Sequence, residues 1–270
     1  MINSKATSRD PSWRRFISVG VTGASSGIGA ALARALAAPG VHLNLAGRDT
    51  ARLQAVAEAC RGAGATVDTD LFDVRDAHQA ADWIKAADAR RPLDLVIACA
   101  GITGGRKADG RDETADEALE VVRVNLLGAM HVVLPAVEAM TPRHAGHLVV
   151  VSSLSALRGM PQSPAYCGAK AGLTIWAEGL RATLRSRGLR LTVASPGFVR
   201  SPMSDQVISA KPFMIDAETA ARRILTAAAK GRPRVVFPWL LLLSLKFLQL
   251  LPATWGDEAL RRTPGHIAPR

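Results

Sequence analysis

The chain has one tyrosine, and it stands four residues before a lysine in Tyr166-Cys167-Gly168-Ala169-Lys170. On a helix that spacing places both side chains on one face, about 5–6 Å apart at Cβ. A free phenol, with a pKa of about 10, is a poor acid or base at neutral pH. A neighbouring ammonium favours the phenolate and is expected to lower that value. A phenol tuned in this way could donate a proton to a carbonyl oxygen or accept one from an alcohol. Ser153, at the end of an apolar run, could hydrogen-bond the same oxygen. No metal is expected: Cys60, Cys99 and Cys167 are scattered, and the histidines have neither metal nor triad spacing and read as surface or loop groups.

A second constellation lies near the start, in Thr22-Gly23-Ala24-Ser25-Ser26-Gly27-Ile28-Gly29. Glycines there let the backbone turn tightly and approach a ligand closely. A helix opening at that point offers free N–H groups and partial positive charge to an anion. Thr22, Gly23, Ser25, Ser26, Gly27, Ile28 and Gly29 are therefore expected to cradle the pyrophosphate of a dinucleotide. About 20 residues downstream, a carboxylate would bind a ribose 2′-hydroxyl. The strand there ends in Arg48, with no acid until Asp49. A guanidinium fork suits a 2′-phosphate, so Arg48 points to NADP(H) in preference to NAD(H). An oxidised nicotinamide beside Tyr166 would favour the phenolate further.

The elements that must position these groups are legible from periodicity. Short apolar, β-branched runs (16–22, 41–46, 65–71, 93–98, 148–152, 189–194) alternate with helix-period segments (28–36, 51–60, 77–89, 117–140, 166–184). Strands separated by helices of that length imply βαβ units. The expected fold is α/β: a single doubly wound, Rossmann-like parallel sheet with helices on both faces and an apolar C-terminal helical extension. Residues 1–14 read as a flexible N-terminal extension, 15–237 as the NADP-binding and catalytic domain, and 238–270 as an apolar and basic C-terminal extension.

Taken together these residues resemble the short-chain dehydrogenase/reductase family, in its shorter branch with TGxxxGxG and YxxxK motifs, over about residues 15–235. The resemblance implies that Asn125, Ser153, Tyr166 and Lys170 are catalytic, with Asn125 holding a water in a proton relay. It implies that Asp73 and Val74 contact the adenine, and that Ala100 and Gly101 line the cofactor. Tyr166 and Lys170 are also cofactor contacts, and Pro196, Gly197, Val199 and Ser201 flank the nicotinamide. Cys99 stands where the family has asparagine, for which a local repacking is expected. Residues 102–112 and 199–215 should cover the pocket mouth. The implied activity is hydride transfer between NADP(H) and a carbonyl or secondary alcohol, with a dimer or tetramer as the assembly. The alternative, a non-catalytic dinucleotide-sensing regulator, usually lacks the tyrosine or lysine retained here.

Composition bounds the rest. The apolar fraction of 48% with 21% charged residues is that of a globular protein. A net charge of +11 invites a nucleic-acid reading, but the bases are scattered and stacking aromatics are few. No nucleic-acid partner is expected. The first 20 residues lack the apolar core of a signal peptide, and the scattered cysteines suit a reducing compartment, so the expected location is cytoplasmic. The run Trp239–Leu251 interrupts its apolar residues only with Ser244, Lys246 and Gln249. As a helix it is too short to cross a hydrocarbon core of about 30 Å. Three roles stay open: a lid over the pocket, an oligomer interface, or an interfacial helix making peripheral contact with the inner membrane face through 238–251. Each suits a bulky apolar or lipid-like ketone.

Overall fold

The structure is a computed structural model that describes residues 11–262 and 265–268 of the 270-residue chain. Its frame is a seven-stranded sheet in which every pairing is parallel. The strands are Ser18–Thr22 (β1), His42–Gly47 (β2), Thr66–Leu71 (β3), Leu95–Ala98 (β4), Gly146–Val151 (β5), Leu189–Pro196 (β6) and Arg234–Phe237, which becomes β8 because Val207–Ser209 (β7) precedes it. The order across the sheet is β3-β2-β1-β4-β5-β6-β8. Sequence order therefore reverses direction between β1 and β4, and the crevice at that switch point is where such sheets bind ligands.

Helices cover both faces. Gly27–Leu36 (α1), Thr50–Gly62 (α2) and Ala217–Ala229 (α8) pack on one side through Leu32, Leu36, Leu53, Ile224 and Leu225. Ala77–Arg90 (α3), Gly128–Met140 (α5) and Pro164–Leu184 (α6) pack on the other through Trp83, Ile84, Val132, Met140 and Leu173. Each such buried aliphatic or aromatic side chain contributes about 1.5–3 kcal/mol of transfer free energy. Strands flanked by apolar layers on both sides must be apolar throughout, as β4 is, with all four residues buried. The doubly wound α/β architecture is the one the alternation of runs predicts.

Four details depart from the sequence expectations. The predicted helix 117–140 is helical from Ala115, as Ala115–Val122 (α4) followed by α5, but one π-helical turn at Arg123–Leu127 separates the two. Pro202–Asp205 (α7) leads into β7, which the periodicity does not reveal and which pairs antiparallel with Gly265–Ile267 (β9). His147 is no surface group: it lies in the interior strand β5, 2% exposed, because its apolar neighbours carry it inward with the strand. His42 and His131 likewise sit in β2 and α5 rather than in loops.

Of the N-terminal extension expected over 1–14, residues 1–10 lie outside the described residues. Ser12–Arg15 form a 3-10 turn that is docked, with the Trp13 indole donating to Ala35 O at 3.2 Å. The C-terminal extension continues past Phe237 as Trp239–Leu250 (α9) and Ala253–Arg261 (α10) before β9.

Candidate active site

The carboxyl ends of β1, β4, β5 and β6 open into a cavity of about 650 Å³. The glycine-rich turn between β1 and α1 forms its floor. Gly23 has φ +68°, and a Cβ there would stand 2.8 Å from Ala100 Cα. A Cβ on Gly29 would stand 2.2 Å from Gly23 O. Only glycine fits either place. Most other helix N-termini around the sheet are capped by a side chain, as α2 by Asp49, α3 by Asp76 and α8 by Asp216. Ser26, at the head of α1, makes no such bond. The first N–H groups of α1 are therefore left for a ligand anion.

At the end of β2, Arg48 and Arg52 both line the cavity. Asp49, the acid nearest to Arg48, is already committed: it accepts from Arg52 N at 2.9 Å and from Arg52 Nε at 2.7 Å. Arg48 Nη1 reaches Asp73 Oδ2 at 3.4 Å. Burial opposes ionisation of Asp73, but the bonds from the Arg75 guanidinium and backbone outweigh it and hold the carboxyl below its ordinary range. Val74 closes over Gly128, where a Cβ would stand 2.6 Å from Val74 Cγ2.

Tyr166 and Lys170 face the cavity from the first turns of α6, with Ser153 opposite at the end of β5. The head of α6 is held by Glu113, whose Oε1 accepts from Ala165 N at 2.8 Å. The Ser153 hydroxyl accepts from Ser155 N at 3.1 Å and bonds the Tyr166 phenol. Lys170 is 4% exposed, and its Nζ donates to Val151 O at 2.9 Å and stands 5.9 Å from the Tyr166 ring centroid. Burial lowers the ammonium to about 8.

The expectation that this ammonium lowers the phenol pKa is not met by the protein's own groups. Burial pushes Tyr166 up to about 12, only partly offset by the Ser153 bond. Desolvation disfavours the phenolate more than an ammonium at that distance favours it. The phenol is therefore protonated at neutral pH, in the form of a proton donor.

Asn125 lies behind the cavity wall, inside the π-helical turn, and is completely buried. Its Nδ2 donates to Val121 O and to Ile102 O, both at 2.9 Å, while Oδ1 has no hydrogen-bond partner. A Cβ on Gly101 would stand 2.7 Å from that oxygen and 3.6 Å from Lys170 Nζ. The wide turn aims an acceptor past Gly101 towards the lysine, a use of π turns common at functional sites.

Every other candidate residue lines the cavity, including Ala100, Gly101, Pro196, Gly197, Val199 and Ser201. Ser201 is partly engaged: its hydroxyl donates to Val199 O and accepts from Ser204 N, capping α7. Cys99 completes the wall, its thiol pushed up to about 12 by burial, so it packs rather than ionises. Beside it, Thr22 Oγ1 accepts from Cys99 N and Ala100 N, at 3.2 and 3.4 Å. Among the described residues, no group of three His, Cys, Asp or Glu could hold a metal ion.

The roof combines the apolar run 239–251, for which a lid was one of the open roles, with residues of α10 and β9 that sequence reasoning missed. Leu241, Leu245 and Leu248 of α9, Leu260 of α10 and Ile267 of β9 all face the cavity. The 102–112 and 199–215 segments supply Thr103, Met203, Val207 and Pro212 to the mouth, as expected. β9 joins these two segments, with Ile267 N donating to Arg106 O and Ala268 N to Gln206 O, both at 2.7 Å. Arg158, five residues after Ser153, pairs with Asp257 of α10, and Gln249 donates to Leu157 O. An apolar run was visible at 239–251, but no local signal marks 265–267 as part of a pocket.

The features fit a dinucleotide: an uncapped helix N-terminus, a glycine cradle that a Cβ would fill, and an unpartnered buried amide oxygen beside the lysine. Comparison with known proteins agrees. The short chain dehydrogenase family model matches residues 18–212. An uncharacterized oxidoreductase of Myxococcus xanthus is 36% identical over 243 residues, covering 90% of this chain and 95% of its own. One from Mycobacterium tuberculosis is 34% identical over 224 residues, covering 81% and 87%. A short-chain dehydrogenase/reductase of Burkholderia phymatum, solved in complex with NAD, superposes with a TM-score of 0.78 at 23% identity, covering 91% of this chain and 95% of that one.

Proposed function

This chain belongs to the short-chain dehydrogenase family and is an oxidoreductase, and from that premise we propose that it uses NADP(H) to reduce a bulky, apolar ketone. The cofactor, when bound, supplies the hydride, and the protein supplies position and the proton. Ser153 would hold the carbonyl oxygen beside the Tyr166 hydroxyl. Tyr166, protonated in the resting pocket, would donate its proton as the oxygen gains negative charge. Lys170 would hold the cofactor ribose and steady the phenolate left behind. Asn125, with its free Oδ1 directed towards Lys170, would return a proton through water. The floor residues Thr22–Gly29 would take the pyrophosphate, with Asp73 and Val74 at the adenine and Pro196, Gly197, Val199 and Ser201 at the nicotinamide.

The preference for NADP(H) rests on Arg48 and Arg52 at the end of β2, where Asp49 is engaged as a helix cap and Asp73 is held by Arg75 as well as by Arg48. The Burkholderia structure of the same fold was solved with NAD, so the reading rests on the side chains at the end of β2 and not on the fold. The apolar substrate is supported by the leucine and isoleucine roof. Exposed Leu119, Leu127 and Leu134 along α4 to α5, with Ile175 on α6, give a second copy a surface to cover, in keeping with a dimer or tetramer. The same reading makes residues 15–237 the working domain, 238–270 its cover, and the cytoplasm its compartment.

The observation that carries the proposal is a phenol, a hydroxyl and a buried lysine meeting at one wall of a largely apolar cavity. The test is NADPH oxidation with a panel of hydrophobic ketones, alongside Tyr166→Phe. Turnover should fall by about 10³ in the variant, while NADPH still binds by fluorescence titration. Full turnover in Tyr166→Phe would refute the mechanism. Binding of NADPH without turnover of any ketone would instead indicate a dinucleotide sensor.

A further inference from the structure

The helix α9 is apolar on its inner and its outer arc, with Ser244, Lys246 and Gln249 between them, yet covered on one side only. Leu241, Leu245 and Leu248 turn inward onto the pocket. On the opposite arc Trp239, Leu240, Leu243, Phe247 and Leu250 are exposed, the last at 84%, and Trp255 of α10 is 68% exposed. At 100° per residue those five α9 positions fall within about a third of the helix circumference. A helix apolar on two opposite arcs is expected to bury both, in a core or in a membrane. With 12 residues α9 is about 18 Å long and cannot cross a bilayer. It can lie along the surface of one.

Charge selects the occupant. No Asp or Glu occurs between Glu218 and Asp257, whereas Arg222, Arg223, Lys230, Arg232, Arg234 and Lys246 fall in that stretch. Lys246 is exposed and borders the apolar arc. A second copy packed on this arc would have to bury that lysine near a helix that carries no acid to pair it. Tryptophan, phenylalanine and leucine beside a lysine are instead the composition of helices that rest at the headgroup level of anionic membranes.

We propose that the outer face of α9 docks on an anionic lipid surface. The helix that roofs the pocket is then the one that touches the bilayer, so an apolar molecule leaving the lipid meets the cavity at its rim. The docking does not depend on the reaction proposed above and can be tested apart from it.

The test is co-sedimentation of the full chain with vesicles of phosphatidylcholine alone and of phosphatidylcholine with phosphatidylglycerol. The protein should pellet with the anionic vesicles about tenfold better than with the neutral ones, and the difference should shrink in high salt. The double variant Leu243→Glu/Phe247→Glu should lose about tenfold or more of that binding, with an unchanged circular dichroism spectrum and melting midpoint. Lys246→Ala should weaken it about fivefold. Wild-type protein left in the supernatant, or a double variant that pellets equally well, would overturn the proposal. So would sedimentation velocity showing that the wild type self-associates and the double variant does not, since the face would then join two copies.

Discussion

The floor of the cavity and its roof are held in different ways. The floor is the edge of a parallel sheet, where β1, β4, β5 and β6 are buried in two apolar layers and glycines leave no space to spare. The roof is a late segment of chain, α9 to β9, tied down by a short antiparallel pair, the Arg158–Asp257 ion pair and the Gln249–Leu157 bond. Rigid main chain suits a ligand whose shape does not vary, such as a dinucleotide. A cover attached at a few points can change without disturbing the sheet, and it meets the variable partners, substrate and lipid.

This contrast can be broken or sharpened by four measurements. The largest effect should come from Gly29→Ala, because the new Cβ would overlap Gly23 O within the backbone of the floor. Dinucleotide binding should weaken by about 3 kcal/mol or more, a hundredfold in Kd. The control is Gly179→Ala on the exposed side of α6, where a Cβ meets nothing within 4 Å. That change should stabilise the fold by about 0.5–1 kcal/mol.

Next is Arg48→Ala. Losing charge-assisted bonds to a phosphate should cost about 1.5–3 kcal/mol, raising the KM for NADPH tenfold to a hundredfold while NADH is nearly unaffected. Equal loss for both cofactors would remove Arg48 from the specificity site.

Acid should weaken the sheet that carries the floor. Burial holds His147 down to about 3, from an ordinary value of 6.5. Below about pH 6.5 the unfolded chain takes up the proton first, so stability is complete above that pH and falls as pH drops towards 3. The slope should approach about 1.4 kcal/mol per pH unit, near 2 kcal/mol by pH 5, and His147→Gln should flatten it in denaturant titrations at several pH values.

The smallest effect belongs to the roof. Leu245→Ala removes a side chain that is 4% exposed and faces the pocket. The KM for a bulky apolar ketone should rise several-fold and NADPH affinity should stay the same. A loss of NADPH binding would mean that floor and roof are coupled after all.

Much of the floor was legible in the chain because its determinants are local. A glycine turn announces itself through the residue type that φ and steric clearance demand, and Tyr166 and Lys170 share a helix face by virtue of spacing alone. Arg48 was legible because it ends a strand of plain alternation. The ionisation of Tyr166 was not. Spacing showed the lysine nearby, but the sign of the shift depended on how deeply both groups are buried. His147 was misplaced for the same reason: its neighbours, not its own chemistry, carry it into the sheet.

The sequence by itself determined the alternation of strands and helices up to β6, the cradle and the pairing of phenol with lysine, since each is written in neighbours a few residues apart. Only the tertiary structure decided that Asn125 sits inside a π turn with an oxygen directed towards Lys170, and that Asp49 is spent as a cap. It also decided that residues of α9, α10 and β9 close the pocket, some 75 to 100 positions beyond Tyr166. Contacts at that separation come from the path of the whole chain, and no local pattern of residues encodes them.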